Sequence, residues 1–125
     1  MPCERRDWHN ANPRMRTVDD ILFAQGYVHA QDRFWQLEFW SHLSTGRLAS
    51  LIGEPGVGAD LLFRTFGFHK IALEEYENLE PEFKQDLINY TNGVNAYIES
   101  RPQNRLSLEH FVLQFINPDY VVGTY

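Results

Sequence analysis

The sequence predicts a mainly α-helical domain. Apolar residues recur at spacings of three and four between positions 17 and 100, capping residues bracket those runs, and no stretch alternates well enough for a sheet. At 125 residues the chain has the length of one domain, and 43% hydrophobic and 14% aromatic content supply enough apolar surface to offset the entropy of ordering. Net charge is −6, with 17 acidic residues against 11 basic ones, so nothing marks nucleic acid or an anionic membrane as a partner. A single cysteine, Cys3, leaves no internal disulfide and no multi-cysteine zinc site. No run approaches the ~20 apolar residues of a bilayer span, and the opening "MPCERRDWHN" lacks the apolar stretch of a secretory signal.

Two regions follow in order. Residues 1–16 mix charge, Asn, two prolines and a tryptophan without periodicity and read as an irregular segment; 17–125 reads as the helical portion. Thr17 in "TVDD" is the N-cap of a helix running to about Ser44, closed by Thr45 and Gly46. "RLASLIGEPG" is a short turn of helix ended by Gly53, Pro55 and Gly56. One helix is expected from about Asp60 to Leu79 on the spacing of Leu62, Phe66, Leu73 and Tyr76, with an acidic tail, Glu74, Glu75 and Glu77, at the wrong end of its dipole. Pro81 opens the best delimited helix, whose stripe is Phe83, Leu87, Tyr90, Val94, Tyr97 and Ile98 and whose stop is "SRP" at 100–102. Gly93 interrupts that stripe at a cost of roughly 1 kcal/mol against Ala unless close packing needs it. A last helical turn is expected over Leu108 to Phe115.

The stretch "FAQGYVHAQDRFWQLEFW" (23–40) is the most unusual. Gln25, His29, Asp32 and Gln36 share one line of the helix, Phe23, Tyr27, Ala30, Phe34, Leu37 and Trp40 a second, and Val28, Trp35 and Phe39 a third. Two apolar faces need two coverings, and a face left uncovered would be an interface including some of Phe34, Trp35, Phe39 and Trp40. Asp32 and Arg33, adjacent and so divergent, are expected to be buried structural groups answering neighbouring segments, with His29 in reach of both.

No catalytic, cofactor-binding or metal-binding set stands out. The histidines, His9, His29, His42, His69 and His110, lack metal-ligand spacing, and Glu38 with His42 reads as an i,i+4 ion pair. "GEPGVG" (53–58) lacks the Lys-Ser/Thr of a phosphate loop, and no serine sits in a Gly-x-Ser-x-Gly turn. Cys3 as a terminal nucleophile would need Met1 and Pro2 removed and is followed by a charged stretch, so it reads as a surface thiol.

Three blocks together carry a resemblance: "GYVHAQDR" (26–33), "GRLASLIG" (46–53) and "GVNAYI" (93–98), with "LFRTFGF" and "LEPEFKQDLINYTN" between them. From about Val18 to Tyr120 the chain resembles the early α chain of the penicillin amidase (penicillin acylase) family of N-terminal-nucleophile hydrolases, whose fold is αββα. The resemblance implies a hydrolase of carbon–nitrogen bonds in linear amides, such as those of β-lactam antibiotics and acyl-homoserine lactones, linked to antibiotic metabolism. It implies that a β-chain N-terminal Ser attacks, with its own amine as base and β-chain donors holding the oxyanion. All of those lie downstream of this chain, so the chain alone is expected to be inactive. Calcium belongs to the complete family enzyme, and the implied partners are the remainder of the α chain and a β chain. Gly26, Tyr27, His29, Gln31, Asp32, Arg33, Gly93 and Asn95 are the expected structural and docking residues. One departure stands out: the family's opening Gly-x-Pro-His-Ile strand is matched here by Ala11, Asn12, Pro13, Arg14 and Met15, which brings that strand into question. The chain is accordingly expected to be a fragmentary homologue. A stand-alone helical interaction module is the alternative.

Overall fold

The computed structural model describes residues 17–102, 105–110 and 112. The expected irregular segment 1–16, with Cys3, His9 and residues 11–15, lies outside the described residues, as does most of the chain beyond His110. Among the described residues every regular element is a helix.

α1 (Val18–Ser44) starts where Thr17 turns extended and its Oγ1 accepts the N–H of Asp20 at 3.2 Å, with Asp19 and Asp20 at the positive end of the helix dipole. The helix is not straight. Arg33, at φ −141° and ψ 37°, leaves the helical region and kinks α1 into two halves. The halves pack on different partners: Gly26 and Tyr27 on a later helix, Trp35 on His110, and Phe34 on both.

Gly46, at φ +66°, turns the chain out of α1 in a conformation that L side chains rarely adopt. The four-residue helix α2 (Ala49–Ile52) follows, then a 3-10 turn (Glu54–Gly56), α3 (Val57–Phe66) and α4 (Phe68–Asn78). The single helix expected over Asp60 to Leu79 is therefore two, because Gly67 takes a left-handed φ of +70° and ends α3. Nothing on α4 is buried. Its acidic end is relieved by Lys84, whose Nζ donates to the Glu77 carbonyl at 2.8 Å.

α5 (Pro81–Glu99) begins, as expected, with Pro81 in its first turn. It runs in the same sense as α1: Asp19 meets Asn89 (2.8 Å), Gly26 lies on the backbone of Tyr90 and Val94, and Phe34 reaches Tyr97. Two parallel helices need a long return connection, which the stretch from α2 to α4 provides. The core between α1 and α5 is Ala30, Phe34, Val94, Tyr97, Ile98 and Leu106, with Tyr27, Leu37 and Tyr90 at its margin. Burying one such side chain contributes about 1.5–3 kcal/mol.

Candidate functional site

The α1–α5 crossing gathers Gly26, Tyr27, His29 and Gly93 of the residues singled out in the sequence. A Cβ on Gly93 would overlap the Phe23 carbonyl and lie 2.9 Å from the Tyr27 nitrogen; one on Gly26 would overlap the Tyr90 carbonyl and lie 3.2 Å from the Val94 nitrogen. Each glycine thus lets the other helix's backbone approach, which is the packing reason Gly93 needs. Tyr27 stands edge-on to Tyr97, with centroids 5.6 Å apart and planes at 88°, and His29 Nδ1 lies 3.2 Å from the Tyr90 hydroxyl. Gln31 and Asn95 are half-buried.

Asp32 and Arg33 are placed differently from expectation. Both are exposed, at the kink, and the Arg33 Nη1 donates to Gln36 Oε1 at 3.2 Å. The polar line Gln25–His29–Asp32–Gln36 faces solvent, so these charges escape desolvation rather than being compensated inside the core. The expected uncovered face on α1 is also redrawn: Phe34 is a core residue, Trp35 and Phe39 are half-buried, and Trp40 is 57% exposed.

The buried polar groups lie elsewhere. Glu38 is 2% exposed and 3.6 Å from His42 Nδ1, which realises the expected ion pair when His42 is protonated. His110, 1% exposed, packs with its ring tilted against Phe34 (centroids 4.9 Å apart) and edge-on to Trp35 (5.9 Å), with Nδ1 2.9 Å from Ser107 Oγ. Burial lowers the His110 pKa, against the pull of Glu38 and Glu109 and with a push from His42. Burial likewise raises Tyr90 and Tyr97, with Arg101 opposing the rise at Tyr97. Asp60 accepts the N–H of Leu48 at 2.6 Å and of Ala49 at 2.9 Å, capping α2 from twelve residues away. Sequence reasoning missed His110 and the role of Asp60. "SLEH" carries a capping signal for the first, since Ser107 Oγ also accepts the His110 backbone N–H at 3.3 Å. No local signal exists for the second.

Chemically, the Ser107–His110 contact has the length of a nucleophile–base pair, but the imidazole is sealed beneath Phe34 and Trp35 and the hydroxyl is engaged as a cap. Among the described residues no group of three or more His, Cys, Asp or Glu is placed to hold a metal ion. No described helix is long and apolar enough to cross a membrane. The described residues form two interlocked helices with exposed apolar surface beside them.

The chain belongs to the penicillin amidase family, whose model matches residues 15–122. It is 35% identical over 97 residues, 78% of its length, to the penicillin acylase 2 proenzyme of Pseudomonas sp. (strain SE83). To the acyl-homoserine lactone acylase QuiP of Pseudomonas aeruginosa it is 39% identical over 82 residues, 66% of its length, and to the penicillin G acylase of Escherichia coli 30% identical over 79 residues, 63% of its length. It spans about a tenth of these relatives: 12%, 10% and 9%.

Proposed function

We propose that the chain is a bracing segment of an acylase, an N-terminal-nucleophile hydrolase of the amide between an acyl group and an amine. The family match over residues 15–122 carries this reading, and the relatives' names, penicillin acylase and acyl-homoserine lactone acylase, supply the reaction class. Its contribution is mechanical. The α1–α5 crossing fixes two helices in register, and the apolar surface left open is covered by the rest of the α chain and by a β chain, which supplies the nucleophilic Ser, its amine base and the oxyanion donors. Gly26 and Gly93 hold the crossing; Tyr27 and His29 dock against α5; Gln31, Asp32, Arg33 and Asn95 meet the covering segments. No observation favours a stand-alone interaction module.

A chimera tests this. Residues 15–122 of this chain replace the matched stretch of the Pseudomonas sp. penicillin acylase 2 proenzyme, and self-cleavage and penicillin hydrolysis are compared with those of the same proenzyme lacking the stretch. Restored cleavage and turnover are expected. A chimera no better than the deletion overturns the reading.

A further inference from the structure

A second surface lies away from the α1–α5 crossing. A groove of about 490 Å³ opens between the end of α1 and the α3–α4 corner, lined by Thr45, Arg47, Phe63, Arg64, His69 and Lys70. In a chain of net charge −6 it collects three of the seven Lys and Arg among the described residues, and it has no acidic side chain in its lining.

The two arginines are pre-positioned. Arg64 donates from Nε to the Gly46 carbonyl at 2.7 Å, and its stem lies so close to Gly46 that a Cβ there would come within 2.6 Å of its Cγ. Arg47 donates from Nε to Thr45 Oγ1 at 3.1 Å, while that hydroxyl donates to the Ser41 carbonyl at 2.8 Å. Both guanidinium groups are anchored by the inner nitrogen, which leaves the terminal nitrogens directed by the anchor and available to an incoming oxyanion. Neither pairs with a carboxylate among the described residues, whereas Lys70 has Glu74 at 3.8 Å. Fixed, unneutralised guanidinium forks suit planar carboxylates, which accept two parallel N–H bonds, and Phe63 beside them suits a ligand with carbon next to its charge.

We propose that this groove binds the Asp or Glu side chains of an acidic protein segment, with Arg47 and Arg64 as the carboxylate clamps. The inference is independent of the acylase reading. A fluorescent peptide carrying two Glu and one Phe, with blocked termini, is titrated into the 125-residue chain, beside its Gln counterpart, inorganic phosphate and glutarate. The Glu peptide is expected to bind at least roughly tenfold tighter than the Gln peptide, to weaken as salt rises, and to lose about fivefold or more in Arg47→Gln, an exposed position whose change spares the Arg64–Gly46 bond. Arg64→Lys, which keeps the charge but loses the fork, is expected to weaken binding likewise. Equal affinity for both peptides, unchanged affinity in Arg47→Gln, or competition by phosphate as effective as that by glutarate would each overturn the proposal. Association of the chain with itself at the groove, abolished by Arg47→Gln without any peptide binding, would overturn it in favour of a second copy.

Discussion

At the scale of single residues, Gly26 and Gly93 set intrinsic propensity against packing, and the two effects have opposite signs. Gly93→Ala gains roughly 1 kcal/mol of helix propensity, yet the new methyl meets backbone, the Phe23 carbonyl and the Tyr27 nitrogen, which cannot rotate away. Overpacking of this kind costs about 1–3 kcal/mol, so the variant is expected to unfold at lower urea. Gly58→Ala is the control, in the first turn of α3 with nothing within 4 Å of the added Cβ, and it is expected to stabilise by up to about 0.5 kcal/mol. If both variants shift the urea midpoint upward, the glycine interlock is not what holds the crossing. The sequence exposed Gly93 as an interruption needing a reason, because a glycine in an apolar stripe is visible; its backbone partner, over sixty residues away, is not. Arg33 is exposed in this chain, against the expectation of burial, for a local reason. Its position in an aromatic run suggested burial and a cost of about 3–5 kcal/mol on removal, whereas the kink turns it to solvent beside Gln36. Arg33→Ala in this chain is therefore expected to move stability by no more than about 0.5 kcal/mol, readable in the same urea titration.

At the scale of elements, those ended by their own residues were legible and those ended by tertiary contacts were not. Thr17, Pro81 and the Gly46 turn announce α1 and α5 locally. Gly67 was equally visible, but an unbroken spacing of apolar residues on either side masked its left-handed turn. α2 was read from its stop at Gly53, but its start has no such signal, since its cap arrives from α3. Asp60→Ala removes the acceptor for two amides at once and is expected to cost roughly 2 kcal/mol, while Asp60→Asn, which keeps one acceptor oxygen, costs less. Chemical denaturation of both variants checks that order, and an equal loss in the two would contradict the cap. Segment 105–110 docks through His110, and pH should reveal it. Burial lowers the folded-state pKa below the unfolded value of about 6.5, so the unfolded chain binds the proton more readily. Stability from this group is present above about pH 6.5 and lost as pH falls through the lower folded value. His110→Phe is expected to flatten the fall in urea midpoint between about pH 7.5 and about pH 5.5; Glu38, Glu109 and His42 remain as a shared background in both proteins. A slope identical to that of the parent would assign the fall to those other groups.

At the scale of the whole molecule, the sequence was readable to the extent that apolar residues outnumber the coverings available. It marked α1 as a helix with two apolar faces, yet the structure spends most of that face on α5 and segment 105–110 and leaves the larger excess on α3 and α4. Leu61, Leu62, Phe66, Phe68, Ile71, Leu73 and Tyr76 are all exposed, Leu61 by 69%. Periodicity reports that a helix has an apolar side; it does not report whether the neighbour that covers it lies in the same stretch of chain. The chain spans about a tenth of the relatives it matches, and on the function proposed above a surface of this kind is covered by further acylase sequence. The isolated chain is therefore expected to self-associate in sedimentation and to bind a hydrophobic dye, with the seat of the effect on α3 and α4. Phe66→Glu and Ile71→Glu make that location testable, because both positions are exposed and a charge there removes apolar surface without entering the core. The pair should lower dye binding and shift sedimentation toward monomer, whereas Trp40→Glu, on α1, should do less. A compact monomer with little dye binding in the parent chain, or an effect that follows Trp40 and ignores Phe66 and Ile71, would mean that this surface is tolerated by water and that the missing covering lies elsewhere.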